Sequence, residues 1–416
     1  MARDADLFER GAEDVTREGP TPTAGELFLR HLSETPDGQL ILNCIQCGLC
    51  TGACPHGYAM DYPPRKMLAA IRAGRINDVL RSSAIWLCVA CYNCSLRCPS
   101  RIPLTDRLIP SLREEVLVRG GGVPEELQKA FERSSRYGNP FGESPRKRTA
   151  WVEEAGVDVP ILKSGDGAQV LWFVECFPSY HPRNIPSTQA FAKILHALGI
   201  EYGILGPDEH CTGDTRRLGG EIGLFEMLME HNLEQLSKRD FDEILVTDPH
   251  AYNAFKNEYP LHGPARKVRH YTQFLEERLP ELEKLMTKEV KAKVTYHDPC
   301  YLGKRNKEYT APRVLLENIP GVKLVEMERI MQDSLCCGGG GGGIWLDSFI
   351  WEHTREKLPV LRVQEAARTG AEVLAVACPL EISRFQDAVK VAGLEGRLEV
   401  KEIIELVAEA MALNGR

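Results

Sequence analysis

Two short cysteine runs constrain this chain more than anything else in it. The first is Cys44-Ile45-Gln46-Cys47-Gly48-Leu49-Cys50-Thr51-Gly52-Ala53-Cys54-Pro55 and the second is Cys88-Val89-Ala90-Cys91-Tyr92-Asn93-Cys94-Ser95-Leu96-Arg97-Cys98-Pro99, so both read C-x2-C-x2-C-x3-C-P. Three thiolates at intervals of three residues wrap one corner of a cubane, while the fourth cysteine of each run ligates the other cluster. On that crossed scheme Cys44, Cys47, Cys50 and Cys98 hold one 4Fe-4S cubane, and Cys88, Cys91, Cys94 and Cys54 hold a second. Zinc is the rival tetrahedral thiolate binder, but paired zinc sites usually use two-by-two spacings, and proline after the fourth cysteine favours iron–sulfur.

Both runs must converge, so the chain between them has to pack tightly. Arg65 to Leu80 carries Met67, Leu68, Ile71 and Val79 on a helix-like face, with Gly74 as a break. Leu104 to Val118 continues as helix. Residues 39–118 therefore read as an α-helical, ferredoxin-like domain. Residues 1–38 read as a polar extension, whose apolar patch Leu27 to Leu32 is expected to pack as a helical turn on the next unit.

A second thiol set lies far downstream. Ser334-Leu335-Cys336-Cys337 opens onto six glycines, Gly338 to Gly343, while Cys300 ends Tyr296-His297-Asp298-Pro299-Cys300 and Cys378 lies in Val376-Ala377-Cys378-Pro379. Four thiols from three segments predict a metal site. Glycines beside it let the backbone approach a bulky inorganic object and aim N–H groups at its sulfur.

The 416 residues suffice for two or three domains. Hydrophobic residues are 43%, charged residues 26%, and the formal net charge is −8, which argues against nucleic acid or an anionic membrane as a general partner. No run approaches the eighteen or so apolar residues of a membrane helix, and Met1 to Pro20 has no apolar signal core. A cytoplasmic location is expected. The fourteen cysteines are then thiolates rather than disulfides.

Residues 119–167, with Gly120 to Gly122, Pro124, Pro140 and Pro145, read as a linker containing one helix from Glu125 to Arg133, and the basic run Arg146 to Arg148 as a solvated face. From Val170 the pattern changes to α/β: short apolar runs (Val170 to Val174, Ile244 to Thr247, Val294 to Tyr296, Val373 to Ala377) alternate with amphipathic stretches. One predicted helix spans Ser187 to Leu198, capped by Ser187 and stopped by Gly199. Another runs from about Glu221 to Leu236. The chain also aligns with itself. Cys176 matches Cys300, His210-Cys211 matches Cys336-Cys337, and Asp248-Pro249-His250-Ala251 matches Cys378-Pro379-Leu380-Glu381, at offsets of 124, 126 and 130 residues. Residues 168–290 and 291–416 are thus expected to be two copies of one domain, each with its motif at strand carboxyl ends. The fold class is α+β multidomain: a helical ferredoxin-like domain followed by a duplicated α/β pair.

These motifs resemble the CCG-domain proteins related to heterodisulfide reductase, whose pattern is a Cys, then CCG, then C-x-x-C. Residues 40–118 look like that family's ferredoxin-like C subunit and 168–416 like its two-copy catalytic B subunit. Such a fusion is similar to the D subunit of membrane-linked heterodisulfide reductase and to the K subunit of the Dsr sulfur-metabolism complex. The resemblance implies a noncubane 4Fe-4S cluster on Cys300, Cys336, Cys337 and Cys378. Glu381 stands where a fifth cysteine is expected, which implies an oxygen ligand or an open iron. The first copy has His210, Asp248 and Ala251 at three of five positions, so no cluster is expected there, and Cys176 and Cys211 read as packing remnants, with a reactive or metal-binding pair as the alternative. His210 and His297 are candidate proton donors.

The implied function is an oxidoreductase subunit whose cubanes relay electrons to the noncubane site, with Cys300, Cys336, Cys337, Cys378 and Glu381 as its catalytic set. The implied substrate is a disulfide or thiol, or a small carrier protein with C-terminal cysteines. No G-x-G-x-x-G follows a predicted strand, so electrons are expected from a haem-bearing membrane subunit or a flavoprotein, which would also hold the chain at the membrane. The rival expectation is a pure electron-transfer subunit of a flavin dehydrogenase or quinone-linked complex, with no substrate site of its own.

Overall fold

The computed structural model describes residues 24–413. Two four-stranded parallel sheets organise the second half of the chain. The first consists of β1 (Gly167–Phe173), β2 (Tyr202–Gly203), β3 (Asp240–Val246) and β4 (Val268–His270), in the order β2-β1-β3-β4. The second repeats it with β5 (Ala292–Tyr296), β6 (Val322–Leu324), β7 (Val373–Val376) and β8 (Glu399–Glu402), in the order β6-β5-β7-β8. Identical topology in both sheets is the internal duplication in three dimensions. The central strands are those the apolar runs predict. The edge strands β2, β4, β6 and β8 are two to four residues long and too short to show a period.

In each copy the chain leaves the first strand for one edge and returns on its other side, so a switch point lies between β1 and β3, and between β5 and β7. The crevice outside the strand carboxyl ends at such a point is where open α/β sheets hold ligands. Cys378 follows β7 by two residues, and Asp248 follows β3 by two. The copies share one core: Trp172, Phe191, Ile194 and Leu245 of the first and Val294, Leu315, Ile403 and Val407 of the second belong to one buried cluster.

The cysteine-run domain is helical, and its core, in which Phe28 and Leu32 pack with Met67, Leu68, Ile71 and Val79, runs on into Tyr301, Leu335 and Leu346 of the second copy. The helix Ala24–Glu34 is therefore part of this unit; the rest of the expected N-terminal extension, residues 1–23, lies outside the described residues. Helices Pro64–Arg72 and Ile76–Leu80 are separated at Gly74, whose φ of 73° breaks the helix where the sequence places the break. Residues Leu104–Leu108 form one wide π-type turn that leads into the helix Ile109–Val118.

Two expectations need correction. The helix expected to start at Ser187 spans Ile185–Ala197 with Asn184 at its N-cap, because Pro186 is well suited to a first turn; the Ser187 hydroxyl donates to the Asn184 carbonyl instead of capping. The segment 119–167 is not a loose tether. It holds the helix Glu125–Tyr137 and a 3-10 stretch Pro145–Glu154, whose Trp151 packs on Trp172 at 5.5 Å between ring centroids. In the basic run Arg146 and Lys147 are exposed, but Arg148 is buried, because it has a carboxylate partner in Glu209. Among the described residues no helix is long and apolar enough to cross a membrane.

Candidate metal centres

The eight ferredoxin-type thiols fall into two groups. One cavity is lined by Cys44, Cys47, Cys50 and Cys98 together with Arg65, Leu68 and Ile102. A second is lined by Cys54, Cys88, Cys91 and Cys94 together with His56, Met67 and Leu87. The fourth cysteine of each run crosses into the other run's cavity. Burial, with Cys91, Cys94 and Cys88 close by, pushes the Cys54 thiol well above its ordinary value, so these sulfurs crowd one another as free thiols. His56 Nδ1 lies 2.9 Å from the Leu87 carbonyl oxygen, to which it donates, and ties the two runs together.

Three of the downstream thiols are brought together as well. Cys300 and Cys336 share one buried cluster with Cys91 of the second cavity, and the neighbouring thiols of Cys300, Cys337 and Cys91 push that of Cys336 well above its ordinary value. Gly338 N–H donates to Cys336 Sγ at 3.2 Å, and Gly339 N–H to Cys337 Sγ at 3.4 Å, so the amides are aimed at cysteine sulfur. They have a second use. A Cβ on Gly340 would stand 2.8 Å from the Val89 carbonyl, and one on Gly341, at φ 59°, would stand 3.0 Å from both the Cys88 carbonyl and the Ala90 methyl. The glycine loop therefore lies directly on the second cysteine run, an approach that side chains would block.

Arg113 locks this contact. Fully buried, it donates to the carbonyls of Ile85 and Cys88, of Leu218 in the first α/β copy, and of Gly341 in the glycine loop, at 2.6 to 3.0 Å. Lys304, also buried, places its ammonium between the two thiol groups, donating to Asn93 Oδ1 at 2.7 Å and to the Ser334 carbonyl at 2.5 Å. Arg384 donates to the Cys337 carbonyl at 2.7 Å. Lys304 sits one helical turn after Cys300, a spacing visible in the sequence; Arg113 and Arg384 carry no such signal.

Cys378 is buried at the start of the helix Pro379–Val391, packed on Phe177 of the first copy and Leu380. Glu381 lies in the first turn of that helix, and its Oε1 is 3.1 Å from His297 Nε2. One ligand atom each from His297, Cys337 and Glu381 lies within 4.8 Å of the others. Arg362 Nε donates to His297 Nδ1 at 2.9 Å, so Nδ1 is the acceptor and the ring proton sits on Nε2, facing Glu381 and Cys337. Arg362 is itself held by Glu365 at 3.0 Å. Burial pushes the Glu381 carboxyl up to about 7, against the pull of His297. Its Oε2 is fully buried and accepts no hydrogen bond among the described residues.

In the first copy Cys176 and Cys211 meet again, with one ligand atom each from Glu175, Cys176 and Cys211 within 4.8 Å of one another. The surroundings differ. Arg148 Nη2 donates to Cys176 Sγ at 3.3 Å, and Arg216 Nη1 lies 3.9 Å from Cys211 Sγ. Glu175 is spent on the amides of Cys176 and Thr212. His210 stacks on His231 at 3.5 Å, and Asp248 accepts from the His250 amide at 2.7 Å. Two thiols beside a committed carboxylate, with His210 stacked on His231 and Asp248 bonded to the His250 amide, are too few ligands for a 4Fe-4S cluster. The downstream set fits one: clustered thiols, amides aimed at sulfur, an unsatisfied carboxylate oxygen and a buried ammonium to balance thiolate charge.

Comparison with known proteins agrees with this layout. A 4Fe-4S dicluster domain model matches residues 40–102, and a cysteine-rich domain model matches residues 170–256 and 294–380. The chain is 34% identical over 411 residues to a probable iron-sulfur-binding oxidoreductase, FadF, of Bacillus subtilis, covering 97% of this chain and 55% of that protein. It is 33% identical to the EtfAB:quinone oxidoreductase of Syntrophomonas wolfei, covering 80% of this chain and 47% of that protein. It is 32% identical over 344 residues to the D subunit of the dihydromethanophenazine:CoB–CoM heterodisulfide reductase of Methanosarcina barkeri, covering 79% of this chain and 78% of that protein. The chain thus spans about half the length of the first two relatives.

Proposed function

The chain belongs to the family of the heterodisulfide reductase D subunit, in which a 4Fe-4S dicluster domain precedes two cysteine-rich domains, and from that premise we propose that it is an iron–sulfur oxidoreductase component that carries electrons to a disulfide-type substrate. One observation carries the reading: the glycine loop after Cys336-Cys337 seats on the backbone of Cys88 to Ala90, which puts Cys91 of the second ferredoxin-type cavity and Cys336 in one buried cluster. A relay and a reaction site that share a wall can exchange electrons without a further carrier.

On this reading Cys44, Cys47, Cys50 and Cys98 hold one cubane, Cys54, Cys88, Cys91 and Cys94 hold another, and Cys300, Cys336, Cys337 and Cys378 hold a noncubane cluster. When bound, these groups supply one-electron transfer and iron able to take a sulfur ligand. The residues around them do the rest. Lys304 and the amides of Gly338 and Gly339 offset the negative charge of the thiolates. Arg113 fixes the distance between the two thiol groups by holding carbonyls of both. Splitting a disulfide takes two electrons and two protons and leaves two thiols, and His297 holds a proton at Nε2 beside Cys337, with its tautomer fixed by Arg362. Glu381, with Oε2 unsatisfied, is the remaining oxygen donor where the family pattern has a cysteine.

The second reading is an electron-transfer subunit that passes electrons between a flavoprotein and another carrier; it is favoured by the deep burial of Cys300, Cys336 and Cys378 and by the name of the Syntrophomonas relative. Paramagnetic resonance on the reduced, cluster-loaded protein separates the two. Added thiol or disulfide, including a carrier protein with C-terminal cysteines, is expected to change the noncubane signal and leave both cubane signals alone. Cys337→Ser should abolish the response, and Glu381→Cys should blunt it. If every candidate leaves the signal unaltered while electrons still pass, the substrate site lies on a partner.

A further inference from the structure

The two ferredoxin-type cavities differ in what surrounds them. The inner one is walled mostly by buried residues, and its Cys91 shares a buried cluster with Cys336 of the adjacent-cysteine pair. The outer one opens at Cys47, an exposed thiol. Around it Leu42, Ile45 and Leu49 are 54%, 69% and 52% exposed. Single exposed leucines are ordinary, but three within eight residues around one exposed thiol make an apolar patch of the kind that marks a contact surface.

The rim of this patch is basic. Arg65 lines the outer cavity and runs beside Gly48. Arg72 donates from Nη1 to the Cys44 carbonyl at 2.6 Å. Arg101 follows Ser100, whose hydroxyl donates to the Asn43 carbonyl at 2.9 Å. All three are exposed, and among the described residues none is paired with a carboxylate. The local balance runs against that of the whole chain: residues 24–118 carry ten lysines and arginines and eight acidic residues, in a chain of net charge −8. The three acids between the first cysteine run and the helix Ile109–Val118 are already engaged. Asp78 pairs with Arg75 and Arg81, Asp106 with Arg305 and the Tyr92 hydroxyl, and Asp61 with Ser82.

We propose that the loop Leu42 to Leu49 with the rim Arg65, Arg72 and Arg101 is the docking surface for an acidic electron-carrier protein, which exchanges electrons with the chain at the outer thiol group. An apolar centre ringed by charge of one sign is the anatomy of a transient interface, and its sign selects an acidic partner and speeds encounter. An anionic membrane would be drawn to the same charges. The exposed thiol at the centre favours a partner that brings a redox group. This rests on the electron-relay reading above.

The test uses the cluster-loaded full chain and photoreduced flavodoxin, a strongly acidic flavoprotein, as the probe. Dithionite is applied first. If it reduces no cluster in the wild type, the relay reading fails, and the docking proposal with it. If it does, the second-order rate of reduction by flavodoxin is measured against salt. The rate is expected to fall about tenfold from low salt to roughly 0.5 M NaCl, as exposed charges are screened. Arg65→Glu/Arg101→Glu should slow it about tenfold at low salt and converge with the wild type at high salt. A salt-independent wild-type rate overturns the proposal even if the variant fails to load its clusters. A loaded variant that matches the wild type at low salt also overturns it. So does loss of cosedimentation with phosphatidylglycerol vesicles at an unchanged flavodoxin rate, which assigns the patch to a membrane.

Discussion

Arg113 offers the sharpest test of how the domains are coupled. It is fully buried, has no carboxylate partner among the described residues, and holds four carbonyl oxygens from three units: Ile85 and Cys88, Leu218, and Gly341. In Arg113→Met the four acceptors lose their donor. A buried unsatisfied acceptor costs about 1–3 kcal/mol, and the lower end applies because water can enter the vacated space, so four of them come to about 4 kcal/mol. Removing a charge that burial already disfavours, as the lowered pKa of this guanidinium shows, returns part of that. The expected net loss is about 2–4 kcal/mol. Anaerobic urea titration of the loaded protein reads it twice, by far-ultraviolet circular dichroism and by visible cluster absorbance. The two transitions should coincide in the wild type and separate in the variant, with the clusters lost at lower urea, because the ferredoxin-like domain then unfolds apart from the α/β pair. Arg113→Lys keeps the charge but not the fork and should fall between. A loss under about 0.5 kcal/mol with coincident transitions would refute the claim that this side chain locks the interface.

Two further outcomes follow from the sites. Iron analysis of the loaded protein should give about twelve irons per chain, and Cys176→Ala/Cys211→Ala should leave that number unchanged; a fall of about four would show that the first copy holds a cluster despite having only two thiols. His270 accepts at Nδ1 from Thr272 and donates from Nε2 to the Thr247 carbonyl, and burial drives its pKa from 6.5 down to about 3. Above pH 6.5 the ring is neutral in both states and costs nothing. As pH falls from 6.5 towards 3 only the unfolded chain takes up this proton, so stability drops by up to about 1.4 kcal/mol per pH unit, and the loss stops below the folded value. His270→Gln should flatten that slope in denaturation midpoints measured between pH 7 and about 5; an unchanged slope would assign it to other groups.

The ferredoxin-like thiols and the repeated α/β core were legible because their signals are local. Cysteines three residues apart stay together in one short loop, and short runs such as Val170 to Val174 and Val373 to Ala377, rich in branched residues, suit strands buried on both faces. The identity of the two copies was also legible, since Asp248 and Cys378 each stand two residues beyond a strand. Other features lay beyond any window of sequence. The bond from Arg113 to Gly341 spans 228 residues, and the one from Lys304 to Asn93 spans 211. Arg148 reads as solvated beside Arg146 and Lys147, and only the fold supplies Glu209, 61 residues away, which makes burying its charge tolerable. The sequence by itself determined which thiols group together and that two sheets would form, because spacing and period act along the chain. Tertiary structure alone decided that Cys91 and Cys336 share one buried cluster, that Gly340 and Gly341 seat on the second cysteine run, and that arginines contact the first copy's thiols, because charge pairing and close backbone contact act through space.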